Sequence, residues 1–200
     1  VTVEIELRGL ARARGYFRAA PQVAAQAASL ALNDAGRRAA TQGSRLIPKQ
    51  VNLPTRYVRE RLKLSKASNA GDLEAIVAGD DNPVSLARYA KQPLVRGRPP
   101  FVRVSQRGGG SELKRVFPIN LANNNRGLAI RLKAGESAEG RLKPFGSARR
   151  SEGAKSSLFL LYGPSVGQVF RTVSNDISGK TADFLEGEFV RQFDRLSRGK

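Results

Sequence analysis

Cysteine, histidine, methionine and tryptophan are all missing from this chain of 200 residues. Their absence removes disulfides, thiol nucleophiles, zinc sites and every catalytic triad that uses histidine as its base. Cysteine usage therefore says nothing about the redox compartment. Lack of an initiator methionine implies processing or trimming upstream of Val1. Long apolar runs are absent as well. Leu158–Tyr162 is the longest, far below the ~20 residues that cross a bilayer, and Val1–Leu7 is too short and too acidic for a signal peptide. The chain is expected to be soluble. Carboxylates, lysines and hydroxyls are what remain for chemistry, so a carboxylate magnesium site is the enzymatic option left open.

Positive charge is abundant. Thirty-five Lys and Arg against 17 Asp and Glu give a net charge of +18. Such an excess implies an acidic partner, either nucleic acid or an acidic protein. A membrane surface would call for a basic helix with an apolar face, and no stretch has that pattern.

Periodicity divides the chain into helices, strands and helices again. VTVEIEL alternates apolar Val1, Val3, Ile5 and Leu7 with Thr2, Glu4 and Glu6, the period of a strand. From Pro21, the residues Val23, Ala27, Leu30 and Ala31 recur at helical spacing, and Ala24, Ala28 and Ala35 widen that face. Pro48 is expected to end this helix. A shorter helix is predicted over Leu53–Leu62, with Asn52 as cap and Pro54 in its first turn. Beyond Lys63 the signal becomes β. Leu73, Ala75 and Val77 alternate, GDDNP at 79–83 reads as a turn, and Val84–Tyr89 reads as a returning strand. Lys91–Pro100 holds three prolines and a glycine and is expected to be a flexible basic loop. Phe101–Arg107 is a predicted strand, Gly108–Gly110 a hairpin connection, and Asn123–Gly127 the next turn before GLAIRLK. Ala134–Ser157 is polar and long enough to be a flexible loop. Leu158–Tyr162 is a predicted buried strand that Gly163-Pro164 turns into a helix, Gly163 by allowing an unusual backbone angle. Ala182, Leu185, Phe189, Phe193 and Leu196 mark a terminal amphipathic helix. The fold class is α+β, one domain over 1–200: N-terminal helices, a central antiparallel β-meander and a C-terminal helix.

Candidate sites divide by chemistry. Gly108–Gly110 lacks the Lys-Ser/Thr and helix of a phosphate-binding loop, so it reads as a turn. Asp80 and Asp81 are the one pair that suggests a magnesium-dependent nuclease, although adjacent carboxylates between Gly, Asn and Pro usually form a solvated turn. The basic clusters contribute Arg56, Arg59, Arg61, Arg96, Arg98 and Arg103 as candidate contacts to an anionic partner, without a motif for reading bases.

Three segments together resemble the minor tail protein Z family of tailed bacteriophages, the tail-completion proteins of lambda-like phages. They are SLALNDAGRRAA with RYVRERLKLSKAS, RGGGSELKRVFPIN with GLAIRLKAGE, and LYGPSVGQVF before the terminal helix. The resemblance spans Pro21 to about Leu196 and leaves Val1–Arg18 outside it. It implies a noncatalytic structural protein of the virion, at the head-proximal end of the tail, with no cofactor and no catalytic residue. Expected partners are copies of itself in a ring or collar, the tail terminator, tail tube or head connector, and DNA in the tail lumen, with no membrane. It also implies that Tyr162, Gly163, Pro164, Ser165 and Val166 form a packing or assembly element. The reading that charge alone favours is a nonspecific nucleic-acid-binding protein.

Overall fold

A computed structural model describes residues 13–68, 73–121, 125–132, 148–150 and 158–198. The alternating segment 1–7 and most of 134–157 lie outside the described residues. Helix α1 (Ala13–Ala19) leads into α2 (Pro21–Gln50), and α3 (Thr55–Arg61) follows. Strands β1 (Leu62–Ser65) and β2 (Ile76–Gly79) form a two-stranded antiparallel sheet, with Leu62 opposite Gly79 and Ser65 opposite Ile76. Next come β3 (Val84–Ser85), a 3₁₀ turn over Leu86–Tyr89, and a small ladder of β4 (Phe101–Val102) with β5 (Ser111–Glu112). The main sheet runs β3-β9-β7-β6 and comprises β6 (Val116–Asn120), β7 (Arg126–Arg131) and β9 (Leu158–Gly163) beside β3. Strand β8 (Ala148–Arg150) pairs with β9 off this path. Helix α4 (Val166–Arg198) closes the chain.

The architecture is the α+β arrangement expected, and several local boundaries move for physical reasons. Pro48 lies inside α2, which continues to Gln50. Pro48 removes one i→i−4 bond, to the Ser44 carbonyl, and Ile47 and Val51 hold the turn nonetheless by burying their side chains in the core. Asn52 does not cap α3. Its N–H donates to the Val104 carbonyl at 2.8 Å and its Nδ2 to the Tyr89 carbonyl at 3.4 Å, while Pro54 occupies the cap position. The strand expected over Val84–Tyr89 stops at Ser85, because the chain tightens into the turn that buries Leu86 and Tyr89. The strand expected over Phe101–Arg107 keeps only two residues in its ladder; the remainder folds back, with Ser105 bridging to Val51. Within 134–157, Ala148–Arg150 is strand rather than loop, formed by pairing with β9. The C-terminal helices are one continuous helix.

Two long helices organise everything else. Helices α2 and α4 lie antiparallel. Gly43, late in α2, faces Phe170 at the start of α4, while Ala24–Ala35 pack against Leu185 and Phe189 further along it. At 1.5 Å per residue each is ~45–50 Å long. The apolar interior accordingly splits. One cluster joins Ile47, Phe170, Val173 and Ile177 to the sheet residues Leu128, Ile130 and Leu161, and to Tyr89. The other is an arm in which the alanines of α2 meet Leu185 and Phe189, closed by Tyr16, Phe17 and Phe193.

Candidate assembly surface

The segment LYGPSVGQVF turns the end of β9 into α4, and each of its small or polar residues answers to a neighbour. The Tyr89 hydroxyl donates to the Pro164 carbonyl at 2.8 Å. Its ring lies so close to Gly163 that a Cβ there would sit 2.6 Å from Tyr89 Cε2. Space, rather than an unusual backbone angle, is what requires this glycine; among the described residues the glycine with positive φ is Gly97. Burial pushes the Tyr89 phenol far above its ordinary pKa, with the nearby Tyr57 adding to the shift, so the hydroxyl keeps its proton and remains a donor. Ser165 starts α4 as a capping box. Its Oγ accepts from the Gln168 N–H at 2.9 Å, and Gln168 Oε1 accepts from the Ser165 N–H at 2.9 Å. The S-x-x-Q spacing of Ser165 and Gln168 is the signal that periodicity alone passes over.

The 79–83 turn docks on this corner. Gly167 N–H donates to the Asp80 carbonyl at 2.9 Å, and a Cβ on Gly79 would sit 2.7 Å from Gly167 Cα. Arg61 pairs with Asp80 at 2.7 Å, and Arg171 with Asp81 at 2.6 Å. Burial raises the Asp80 pKa. The hydrogen bond from the Asn82 N–H and the Arg61 guanidinium outweigh that effect and hold it below the usual carboxylate range. Each carboxylate thus clamps a turn through an arginine. Among the described residues no group of three or more His, Cys, Asp or Glu converges as a metal would require.

Of the corner residues, Gly163, Ser165 and Val166 are buried within the chain, while Tyr162 and Pro164 are half-buried. The candidate arginines separate into three places. Arg56, Arg59 and Arg61 share α3, where Arg56 pairs with Glu60 at 3.0 Å. Arg61 is committed to Asp80 and lies over the Tyr57 ring at 4.8 Å. Arg103 folds back on its own segment, donating to the carbonyls of Ser105 and Gln106. Arg96 and Arg98 are exposed on the 91–100 segment, which forms no regular element. Sequence reasoning missed two more members of this basic surface. Arg88 also lies over the Tyr57 ring, at 4.4 Å. Arg126 donates to the Leu94 carbonyl at 3.3 Å and thereby ties the 91–100 segment to β7. Neither adjoins a basic cluster in the sequence.

Charge is therefore concentrated on the sheet body. Between Val84 and Arg131 there are ten Lys and Arg against Glu112 alone, whereas α4 has five basic and five acidic residues. The model of the family described as prophage minor tail protein Z matches residues 18–183. The chain belongs to the minor tail protein Z family. That match takes in α2, the sheet body, the corner and the first half of α4, so the tail-protein membership rests on the whole framework rather than on one motif. No curated protein and no solved structure matches this member of the minor tail protein Z family. Membership marks it as a bacteriophage minor tail protein, and no described helix is long and apolar enough to cross a membrane.

Proposed function

We propose that this chain is a noncatalytic structural subunit that completes the head-proximal end of a phage tail and helps join the tail to the head connector. The observation that carries this reading is the family match over residues 18–183, which covers the helical pair and the sheet body together. Copies of the chain would assemble as a ring or collar in the virion. Its partners would be the tail terminator, the tail tube or the connector, and DNA in the lumen. The concentrated positive charge of the body supports acidic partners of this kind. Tyr162 and Pro164 would serve as assembly contacts, since they are the half-buried members of the corner. The 91–100 and 134–157 segments would act as arms between subunits; equal protease cleavage of both in free subunits and in assembled tails would remove that role. Cryo-electron microscopy of the head–tail junction is the decisive test. Density for this sequence at the top of the tail is expected, and its absence from a complete virion map would overturn the reading.

The ten-to-one excess of basic residues between Val84 and Arg131 favours one alternative, nonspecific binding to nucleic acid. In that case affinity for duplex DNA falls steeply with salt, with a log–log slope of about −0.9 per phosphate neutralised.

A further inference from the structure

The body carries a groove of about 650 Å³ whose floor is Leu94, Phe117, Pro118 and Ile119 and whose rim holds Arg96 and Arg126. This volume is within the range of ~300–1,000 Å³ that ligand pockets occupy. The groove lies along β6, which is the last strand of the path β3-β9-β7-β6 and, among the described residues, an edge of the sheet. Pro118 deprives that edge of a donor. A chain lying there cannot complete a full backbone ladder and has to be held mainly through its side chains.

One stretch of this molecule has the complementary pattern. In sequence, residues 1–7 alternate apolar Val1, Val3, Ile5 and Leu7 with Thr2, Glu4 and Glu6, an acidic apolar pattern in a chain of net charge +18. Opposite charge across an interface discriminates between partners and fixes register, and alternating apolar side chains fit an apolar floor beside a strand. We propose that residues 1–7 of one copy dock in the Leu94–Phe117–Ile119 groove of a second copy, with the apolar side on the floor and Glu4 and Glu6, on the outer side, met by the exposed side chains of Arg96 and Arg126.

Reach decides between the same chain and a second one. Segment 1–7 precedes α1, whose Tyr16 and Phe17 pack at the arm end of the helical pair. Between Val23 and Ile47, α2 rises ~36 Å toward the body. Glu4 precedes Ala13 by nine residues, so even full extension carries it only ~32 Å. That reach falls short of the rise of α2 alone, which favours the groove of a second copy over that of the same chain. The proposal rests on the oligomeric part of the function proposed above and on nothing else in it.

The chain has no cysteine, which makes site-directed cross-linking direct. Full-length Ile5→Cys protein is mixed with full-length Ile119→Cys protein and oxidised with copper–phenanthroline. A disulfide-linked heterodimer is expected, at a yield at least tenfold above Ile5→Cys mixed with Thr41→Cys, an exposed position on α2. Glu4→Lys with Glu6→Lys should reduce the yield to the control level, and Arg96→Glu with Arg126→Glu in the other copy should restore it. Sedimentation of the unaltered chain reads self-association separately. Oligomers that form without the heterodimer overturn the docking and leave the ring reading standing, whereas failure of both overturns both. Linkage only within a chain that carries both cysteines also overturns it. So does a cross-link indifferent to charge reversal and suppressed by short duplex DNA, since the groove then belongs to nucleic acid.

Discussion

The arm and the sheet body are built on the same two helices by opposite means. In the arm, alanines of α2 at 24, 27, 28, 31 and 35 present a low face to Leu185 and Phe189, so that most of its volume comes from α4 and α1. In the body the large groups come from everywhere: Ile47 from α2, Phe170 from α4, Tyr89 from a 3₁₀ turn, Leu128 and Leu161 from strands. The arm repeats helical contacts at spacings of three and four. The body joins segments distant in sequence, as Tyr89 and Pro164 do across 75 residues. Positive charge follows the same division, crowding on the body and nearly balancing along α4. A region assembled from distant pieces can place specific side chains on its surface, while a helical pair chiefly sets length and direction.

Phe170→Ala tests this contrast most severely. Phe170 is fully buried where the arm's helices enter the body, and the substitution should cost ~3–5 kcal/mol. Urea unfolding followed by circular dichroism would read the loss. A single transition displaced as a whole is expected; two separated transitions would show that the arm and the body unfold independently. Gly43→Ala probes the same junction from α2, because its new Cβ would lie 2.8 Å from Phe170 Cε2. Overpacking of this kind costs ~1–3 kcal/mol, and combining it with Phe170→Leu should recover part of that loss in the same assay. The smallest effect is expected in the arm. A Cβ at Gly187 meets nothing within 4 Å, so Gly187→Ala should add about 0.4–1 kcal/mol. The same urea assay would read that gain as a small displacement of the whole transition, and a loss instead of a gain would show the arm packed as tightly as the junction and break the distinction.

The difference between the regions also determines how much could be read in advance. Helical periodicity exposes α2 and the end of α4 because their partners recur along one face, and the alternation of Leu128, Ile130 and Leu132 exposes β7 in the same way. Strand β1 was hidden, since the apolar face of α3 runs directly into Leu62; the alternation of Leu62, Lys63, Leu64 and Ser65 is its one local sign. Ala148–Arg150 has no apolar pattern and becomes a strand only through the neighbour that pairs with it. At the corner, Gly163 and Pro164 announce a turn, but nothing near them reveals that Tyr89 will fill the space a side chain would need. Arg61 and Arg103 look like surface charges in sequence, and distant or folded-back partners absorb both. Arg88 and Arg126 join the basic surface only after the chain has folded.

The alanine face of α2 also has a consequence for synthesis. Helix α2 is complete at Gln50, but its partner begins at Val166, more than a hundred residues later. At roughly 5–20 residues per second, a nascent chain waits on the order of ten seconds before that partner leaves the ribosome. A row of leucines left bare for so long would attract other unfinished chains. A row of single methyl groups exposes far less apolar area during the wait, and the same small side chains let α4 settle close when it arrives.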